Sequence, residues 1–335
     1  MQNILVVGGA GYIGSHMVWL LGQHGVQAVT LDNLVAGHRD AVLHGELRVG
    51  DVADRALLDQ ILDSQRFDAV MHFASFIQVG ESVLDPAKYY RNNVATTLTL
   101  LDAMRDHGVR QFVFSSTAAL FGEPAYTPID EKHPLQPINP YGRSKWMVEQ
   151  VLADYARAYG LQSVCLRYFN AAGAHPQGLL GERHEPETHL IPLVLQAATG
   201  RRSHVTVFGR DYDTPDGTCI RDYVHVMDLA DAHWLALQYL ARGGTAGAFN
   251  LGNGNGYSVQ EVVDTARRVT GRDIAVREGP RRAGDPARLV ADAALARQVL
   301  GWQPRHGSLE AIVRDAWQWE CRAGGPAPRR PPEPA

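Results

Sequence analysis

The chain has 335 residues, of which 45% are hydrophobic and 20% charged, an ordinary composition for a globular protein of one large or two moderate domains. Its formal net charge of −4 provides no basic surface for nucleic acid. No apolar run approaches the roughly 20 residues that a membrane-spanning helix requires. We therefore expect no nucleic-acid partner and no membrane.

Apolar strands alternate with helical segments until about residue 168, and this alternation predicts a parallel sheet with crossover helices. The predicted strands are 3–7, 28–31, 46–49, 69–73, 111–115 and 162–168. The predicted helices are 12–23, 54–64, 86–107 and 141–159. Later in the chain the pattern becomes irregular, with helices predicted at 190–199 and 227–241 and a strand at 205–208.

The first strand leads into a glycine-rich turn. Gly8, Gly11 and Gly14 are spaced as Gly-x-x-Gly-x-x-Gly, and the third glycine lies in the opening of the first predicted helix. Such glycines allow a tight turn and a close approach of the backbone to a pyrophosphate, which lies over the helix N-terminus. We interpret the turn as part of a dinucleotide site rather than as a turn without a ligand.

A carboxylate at the end of the second strand indicates which dinucleotide is bound. Asp32 follows Gly14 by eighteen residues, where it can accept hydrogen bonds from ribose hydroxyls. No arginine follows it directly, and Arg39 is seven residues away, so the pattern favours NAD over NADP. Asp51 ends the third strand and is interpreted either as a contact to adenine or as the N-cap of helix 54–64.

The predicted fold is α/β: a Rossmann-type doubly wound parallel sheet with a smaller C-terminal substrate-binding domain. We place the NAD-binding domain at residues 1–170 and the second domain at 171–323, with some segments of the second returning to the first. Residues 324–335 are proline-rich and are predicted to form a disordered tail.

Cysteines and histidines give little sign of metal or disulfide chemistry. Cys165, Cys219 and Cys321 are odd in number and widely spaced, which fits a reducing cytoplasm. The fourteen histidines lack a His-x-x-x-His helix or a carboxylate at useful spacing, so we predict no metal. His72, which ends the fourth strand, is interpreted as a core residue. The first strand starts at residue 3, so no signal peptide is expected.

Tyr141 and Lys145 are separated by about one helical turn, so the phenol and the ammonium group lie on one helix face. A nearby ammonium group favours a phenolate and lowers the pKa of a tyrosine. Together with a dinucleotide site, the pair predicts a base that takes a proton from a substrate hydroxyl.

The motifs resemble the extended short-chain dehydrogenase/reductases, and within them the UDP-glucose (UDP-galactose) 4-epimerases, over almost the whole chain. The matching segments are 8–16, 31–34, 72–74, 79–82, 92–94, 114–118, 167–176, 186–192, 208–209, 216–226, 250–252 and 281–285.

The resemblance implies reversible epimerisation of UDP-glucose and UDP-galactose at C4 through a transient 4-keto intermediate, with NAD as the hydride carrier. The implied catalytic residues are Tyr141, Lys145 and Thr117. The implied cofactor-binding residues are Gly8, Gly11, Tyr12, Ile13, Gly14, Asp32, Asn33, Asp51, Val52, Phe73, Ala74, Asn93, Ser115, Tyr141, Lys145 and Tyr168. The implied substrate-binding residues are Thr117, Tyr141, Asn170, His189, Leu190, Phe208, Arg221, Tyr223, Arg282, Asp285 and Leu289.

The resemblance also implies a homodimer built on helices 86–107 and 141–159, with Val94, Leu98 and Leu101 at helical spacing. Three positions depart from the family pattern, and one of them is Phe121, which replaces a common tyrosine. Ile77 stands where some members carry a lysine that reaches the cofactor phosphates, and Leu289 stands where the family gates sugar size. The retention of NAD and the acceptance of N-acetylated, pentose or uronic acid nucleotides therefore stay open.

Two other functions are weighed against the epimerase. A sugar-nucleotide 4,6-dehydratase shares the fold and the Tyr/Lys pair, but it needs an acid and a base beside the threonine, where this chain has Ala118 and Ala119. A non-catalytic NAD-binding protein of this fold usually lacks the tyrosine or the lysine, and both are present here. The sequence therefore favours the epimerase.

Overall fold

A parallel sheet forms the centre of the protein in a computed structural model, which describes residues 1–282 and 285–324. The strands are β1 (Asn3–Val7), β2 (Gln27–Asp32), β3 (Glu46–Val49), β4 (Ala69–His72), β5 (Gln111–Thr117), β6 (Gln162–Tyr168), β7 (Asn170–Ala172), β8 (Val205–Phe208), β9 (Ile220–Arg221), β10 (Tyr223–His225), β11 (Gly247–Leu251), β12 (Tyr257–Ser258), β13 (Val276–Gly279) and β14 (Arg288–Leu289). The helices are α1 (Tyr12–Gln23), α2 (Arg55–Ser64), α3 (Val79–Leu84), α4 (Pro86–Tyr89), α5 (Thr96–Asp106), α6 (Pro140–Tyr159), α7 (Leu190–Ala198), α8 (Val226–Ala241), α9 (Val259–Thr270), α10 (Ala294–Leu300) and α11 (Leu309–Gly324).

The central sheet has seven strands in the described part of the chain, in the order β11-β6-β5-β4-β1-β2-β3, and all its pairings are parallel. Alternate residues of β1 serve two cores: Ile4 and Val6 pack towards α1 and α8, while Leu5 and Val7 pack towards α2, α5 and α6. Helices therefore cover both faces, and the predicted Rossmann-type α/β fold is confirmed.

The predicted helices occur within a residue or two of their expected limits. Helix 86–107 is continuous but passes through a π-helical segment, Tyr90–Ala95, between α4 and α5. The N-cap of α2 is Asp54, whose carboxylate accepts a hydrogen bond from Leu57 N at 3.1 Å. The interpretation of Asp51 as this N-cap is therefore wrong.

The second half adds short sheets and a third core. β8 pairs with β13, β7 with β10, and β9 lies between β12 and β14. Helices α7, α9 and α11 pack together there. β11, although late in sequence, joins the central sheet beside β6. The domain limits at 170 and 171 stay a prediction.

Two details differ from the sequence-based expectations. Leu101 is 1% exposed and belongs to the core shared with α2 and α6, so it cannot face a second subunit as predicted. Gly324, the first residue of the predicted disordered tail, is the last residue of α11, and the rest of that tail lies outside the described residues. Within the described residues, no helix is both long enough and apolar enough to cross a membrane.

Candidate active site

The glycine-rich turn forms a close-packed cradle at the carboxyl end of β1. A Cβ on Gly8 would lie 2.4 Å from Ala74 N, and a Cβ on Gly14 would lie 2.2 Å from Gly8 O. The residue before α1 is Gly11, which has no side chain to occupy the free N–H groups of the helix N-terminus. The cradle therefore fits the pyrophosphate of a dinucleotide.

Asp32 holds the neighbouring loop at the end of β2. It is 8% exposed, and its carboxylate accepts hydrogen bonds from Ala10 N and Leu34 N, each at 2.9 Å. Asn33, the next residue, donates through Nδ2 to Asp51 Oδ2 at 2.9 Å. The adjacent ends of β2 and β3 thus bring together three of the residues predicted to bind the adenosine part of NAD.

Lys145 is held inside the protein by one group from the segment after β4 and one from β5. The side chain is 1% exposed, and Nζ donates to Ser75 Oγ at 2.7 Å and to Ser115 O at 2.8 Å. Burial lowers the pKa of Lys145 to about 7, although the nearby Glu149 carboxylate opposes this shift. Ser75 was missed by the sequence reasoning, although it directly follows the matched motif 72–74.

Tyr141 lies in the first turn of α6, whose N-cap Asn139 accepts a hydrogen bond from Gly142 N at 2.8 Å. Burial raises the pKa of Tyr141 above its ordinary value, and a hydrogen bond with Thr117 acts in the opposite direction. The prediction that Lys145 lowers the pKa of this phenol is therefore wrong. The reason is that the Lys145 ammonium donates to Ser75 and Ser115, while desolvation of the phenol dominates.

Thr117 ends β5 and also caps the short 3₁₀ turn that follows, accepting a hydrogen bond from Ala119 N at 3.1 Å. Thr117 thus caps this turn and also contacts Tyr141. On the next strand, Tyr168 is buried and shares a hydrogen bond with Ser115 Oγ. Both groups lie at the carboxyl ends of strands, where ligands bind in doubly wound sheets.

Asn93 ties the segment after β4 to α6. Its amide accepts from Phe76 N at 2.9 Å and donates to Phe76 O at 3.0 Å and Ser144 Oγ at 3.1 Å. The side chain is buried, so these bonds satisfy a group that water does not reach. Asn93 thus positions the segment that carries Ser75.

A buried ion pair, absent from the sequence-based list, lies behind α6. Glu149 accepts from Arg167 Nη2 at 2.5 Å and from Ser116 Oγ at 2.5 Å, and the Arg167 and Glu149 side chains are 7% and 8% exposed. Glu149 follows Lys145 by four residues, so helical spacing was the signal that could have found it. The pair fastens α6 to β5 and β6.

The predicted substrate residues form two groups in the second half. In one, Arg221 donates to Asp285 Oδ1 at 2.9 Å and is paired in register with Leu289 across β9 and β14. Leu289 also packs against the cluster of Ala118 and Phe121, directly after Thr117. This contact brings the residue predicted to gate sugar size close to the end of β5.

The second group lies at the end of β8, where the Arg282 guanidinium stands 4.0 Å from the centre of the Phe208 ring. Tyr223 of β10, which is buried, pairs in register with Asn170 of β7. Five predicted cofactor and substrate residues remain. Tyr12 donates through its hydroxyl to Gly173 O at 2.6 Å. The others are Ile13, packed against the first core; Val52, buried in the second; Phe73, packed on His233; and Leu190, packed against the third.

The histidines do have carboxylate neighbours, so the ground for predicting no metal is wrong. The folded chain brings together Glu182, His184, Glu187 and His189 in one group, and His225, His306 and Asp315 in another. His189, predicted to bind substrate, has its Nδ1 2.7 Å from a Glu182 oxygen and 3.1 Å from a Glu187 oxygen. The sequence signal was present in the spacing of residues 182–189.

Comparison with known proteins identifies the family. Residues 4–252 match the model of the NAD-dependent epimerase/dehydratase family. The chain belongs to this family. It is 54% identical to the UDP-glucose 4-epimerase of Halalkalibacterium halodurans over 94% of this chain and 95% of the relative.

Solved structures agree with this assignment. A crystal structure of UDP-glucose 4-epimerase from Brucella ovis in complex with NAD has a TM-score of 0.93 and 52% identity, and the match covers 95% of this chain and 98% of that one. A UDP-glucose 4-epimerase from Stenotrophomonas maltophila, with bound NAD and formylated UDP-arabinopyranose, has a TM-score of 0.93 and 41% identity over 96% and 98%. The resemblance predicted from the motifs is confirmed.

Proposed function

We propose that this protein is an NAD-dependent UDP-glucose 4-epimerase, an isomerase that interconverts UDP-glucose and UDP-galactose through a 4-keto intermediate. The proposal rests on the contact between Tyr141 and Thr117 at the end of β5, with Lys145 one turn further along α6. Homologues of about half identical sequence and nearly equal length carry the same name. When bound, NAD accepts the C4 hydride of the sugar and returns it.

The residues of the chain fit this cofactor and divide its binding between them. The Gly8 and Gly14 backbone and the N-terminus of α1 suit the pyrophosphate, and Asp32 suits a ribose diol. The Lys145 ammonium has three N–H donors, of which Ser75 and Ser115 take two. The third is available for a ribose hydroxyl of the nicotinamide end.

Tyr141 is the proposed proton acceptor for the sugar 4-hydroxyl, and Thr117 the proposed hydrogen-bond partner of the 4-oxygen. Burial alone raises the pKa of Tyr141, so the phenol needs a neighbouring positive charge in order to act as a base. Lys145 can supply this charge to Tyr141. Its Nζ is held by hydrogen bonds to Ser75 and Ser115 rather than by an ion pair, so the ammonium group can shift towards the phenol.

The substrate anchors are proposed on chemical grounds. Guanidinium groups suit a diphosphate, so Arg221 and Arg282 are assigned to it, while Asp285 suits a ribose diol and Phe208 suits the uracil ring. Arg221 and Asp285 already pair with each other, so they are arranged before substrate arrives. Anchoring UDP at these sites leaves the hexose free to present either face to the cofactor.

The dehydratase alternative has no support at the corresponding positions. Ala118 and Ala119 follow Thr117 directly and carry methyl groups, which cannot transfer the protons that elimination of water requires. A purely regulatory role is likewise disfavoured, because Tyr141, Thr117 and Lys145 are all present at the end of β5.

The activity is tested by proton NMR of the purified protein with UDP-galactose and no added cofactor. Growth of UDP-glucose anomeric signals to a steady ratio would support both the epimerase and a retained NAD. Activity that requires added NAD would support the epimerase and indicate a loosened cofactor, as expected if Ile77 removes a charge from the phosphate site. No conversion even with added NAD would contradict the proposal, and parallel samples with UDP-N-acetylgalactosamine and UDP-pentoses would define the sugar range at Leu289.

We also propose a cytoplasmic homodimer. Apolar side chains remain exposed on the helices of the predicted interface and beside them: Val83 (60%) and Leu84 (87%) on α3, and Met147 (41%) on α6. Light scattering should give twice the chain mass of 36.7 kDa. Met147→Asp should shift the protein towards the monomer, whereas Leu179→Asp, at an exposed leucine elsewhere, should not. A concentration-independent monomer would contradict the dimer.

A further inference from the structure

Four side chains of one irregular segment before α7 converge on a common point. His184 Nδ1 lies 3.1 Å from Glu182 Oε1, and His189 Nδ1 lies 2.7 Å from the same oxygen. Glu187 completes the group, 3.1 Å from His189 and 3.7 Å from His184. From this geometry we propose that Glu182, His184, Glu187 and His189 form a structural site for a divalent transition-metal ion such as Zn²⁺.

The spacing of these atoms is close to that of ligands around a tetrahedral ion. Nitrogen and oxygen ligands lie about 2.0–2.2 Å from zinc, so pairs of them in a tetrahedron lie roughly 3.3–3.6 Å apart. Three of the four separations, 2.7, 3.1 and 3.1 Å, are shorter than this and the fourth, 3.7 Å, is slightly longer, so small side-chain shifts would place the atoms around an ion. One atom from each of the four residues lies within 4.8 Å of the other three. Both histidines present the same ring nitrogen, Nδ1, to the centre.

A metal ion would satisfy a nitrogen that the ion pairs of the cluster leave without a well-aligned hydrogen bond. His184 Nδ1 is buried and makes no such bond, although a Glu182 oxygen is only 3.1 Å away. A cation at the shared centre would satisfy this nitrogen together with the carboxylates of Glu182 and Glu187, which are 6% and 5% exposed.

The chemistry of the ligands selects the type of ion. Two imidazoles and two carboxylates suit zinc and similar transition metals, whereas Mg²⁺ and Ca²⁺ prefer oxygen ligands throughout. Two carboxylates balance a divalent charge. Because four protein ligands fill a tetrahedron, no position remains for water or substrate, and the site is structural. It stands apart from the proton and hydride transfers of the proposed epimerase and does not depend on them.

A bound ion would stabilise the segment 182–189, which contacts several other parts of the protein. Arg183 donates to the Asp40 carboxylate at 3.0 and 2.7 Å, and Trp319 of α11 donates to Glu182 O at 3.2 Å. The Tyr12 ring, in the glycine-rich turn, meets the His184 ring edge-on at 6.3 Å. A bound ion would therefore fix the segment that joins the cofactor turn, the loop after β2 and the last helix.

The test compares Glu187→Gln with Glu185→Gln in the full-length protein. Glu185 lies in the same segment and loses the same charge, but it is exposed and outside the cluster. Each protein is stripped with a chelator, loaded with Zn²⁺, desalted and analysed for metal by mass spectrometry. We expect wild type and Glu185→Gln to retain one more equivalent of zinc than Glu187→Gln, with affinity in Glu187→Gln lower by about 10²-fold or more.

Loading with Co²⁺ gives an independent signal, since tetrahedral Co²⁺ absorbs strongly in the visible region and surface-bound Co²⁺ does not. Circular dichroism of the metal-free proteins shows whether each variant folds. If Glu187→Gln does not fold, His184→Gln takes its place as the test variant. Equal zinc content in Glu187→Gln and Glu185→Gln, or no zinc retained by the wild type, would overturn the site.

Discussion

Lys145 and Tyr141 show how single residues acquire their chemistry from their surroundings. The ammonium group of Lys145 is buried and donates to Ser75 and Ser115, and burial brings its pKa to about 7. The phenol of Tyr141 is shifted the other way by its own burial. Both shifts favour the neutral forms, so ionisation of Tyr141 requires a positive charge beside the phenol.

Replacing Tyr141 by phenylalanine removes the proposed proton acceptor and leaves the rest of the site in place. We expect Tyr141→Phe to lower turnover by about 10²-fold or more, while NAD stays bound. Turnover is measured by NMR and bound NAD by its absorbance after denaturation. Tyr159→Phe is the matched control, because Tyr159 is exposed and lies eighteen residues along α6, about 27 Å away at 1.5 Å per residue. Equal rates in the two variants would refute the role of Tyr141.

Glu149→Gln tests the buried pair behind the site. The substitution leaves Arg167 charged and without its carboxylate partner, which is expected to cost about 3–5 kcal/mol of unfolding free energy. Urea denaturation of the variant measures the loss. Glu123→Gln, at an exposed glutamate, should change the free energy by less than about 0.5 kcal/mol. If both variants unfold alike, the pair does not fasten α6 to the sheet.

At the level of elements, the turn between β1 and α1 places the helix N-terminus where a cofactor can reach it. The turn packs against the segment after β4, since Gly8 touches the Ala74 backbone and Gly14 touches Gly8 O. Little room for side chains therefore remains where β1, α1 and the segment after β4 meet. The glycine spacing in the sequence records this close packing.

Gly14→Ala should disturb that junction, because its Cβ would lie 2.2 Å from Gly8 O, where only backbone can move aside. We expect about 1–3 kcal/mol of destabilisation and a purified protein with less bound NAD. Gly80→Ala is the control, since Gly80 is in α3 and nothing lies within 4 Å of its added Cβ. A Gly14→Ala protein with full stability and full NAD content would contradict the close-packed cradle.

For the molecule as a whole, buried histidines link stability to pH. His16, His72 and His233 lie in the interior, and burial lowers their pKa values to about 3, 3 and 4. His72 confirms the interpretation of a core residue, with Nε2 3.4 Å from Thr97 Oγ1. The unfolded chain binds protons at these histidines below pH 6.5 and the folded chain does not, so folding stability falls as the pH drops from about 6.5 towards 4.

Each of these histidines should contribute a slope of up to about 1.4 kcal/mol per pH unit in that range. The free energy of unfolding of the wild type, measured with urea between pH 7 and pH 5, should therefore fall steeply. His72→Gln should reduce this slope by the contribution of one histidine, up to about 1.4 kcal/mol per pH unit. An unchanged slope in His72→Gln would mean that His72 is protonated in the folded protein.

The order of strands and helices up to about residue 168, the glycine-rich turn and the spacing of Tyr141 and Lys145 could be predicted from the sequence alone. Such features depend on local periodicity and on residues within one or two turns, where the backbone fixes the geometry. The resemblance to epimerases was also readable, because its motifs are contiguous.

Only the tertiary structure decided what surrounds these residues. Ser75 reaches Lys145 from seventy positions away, Leu101 turns into the core, and burial reverses the expected pKa shift of Tyr141. Burial and side-chain partners arise from the packing of distant segments, and the spacing of residues along the chain carries no record of that packing.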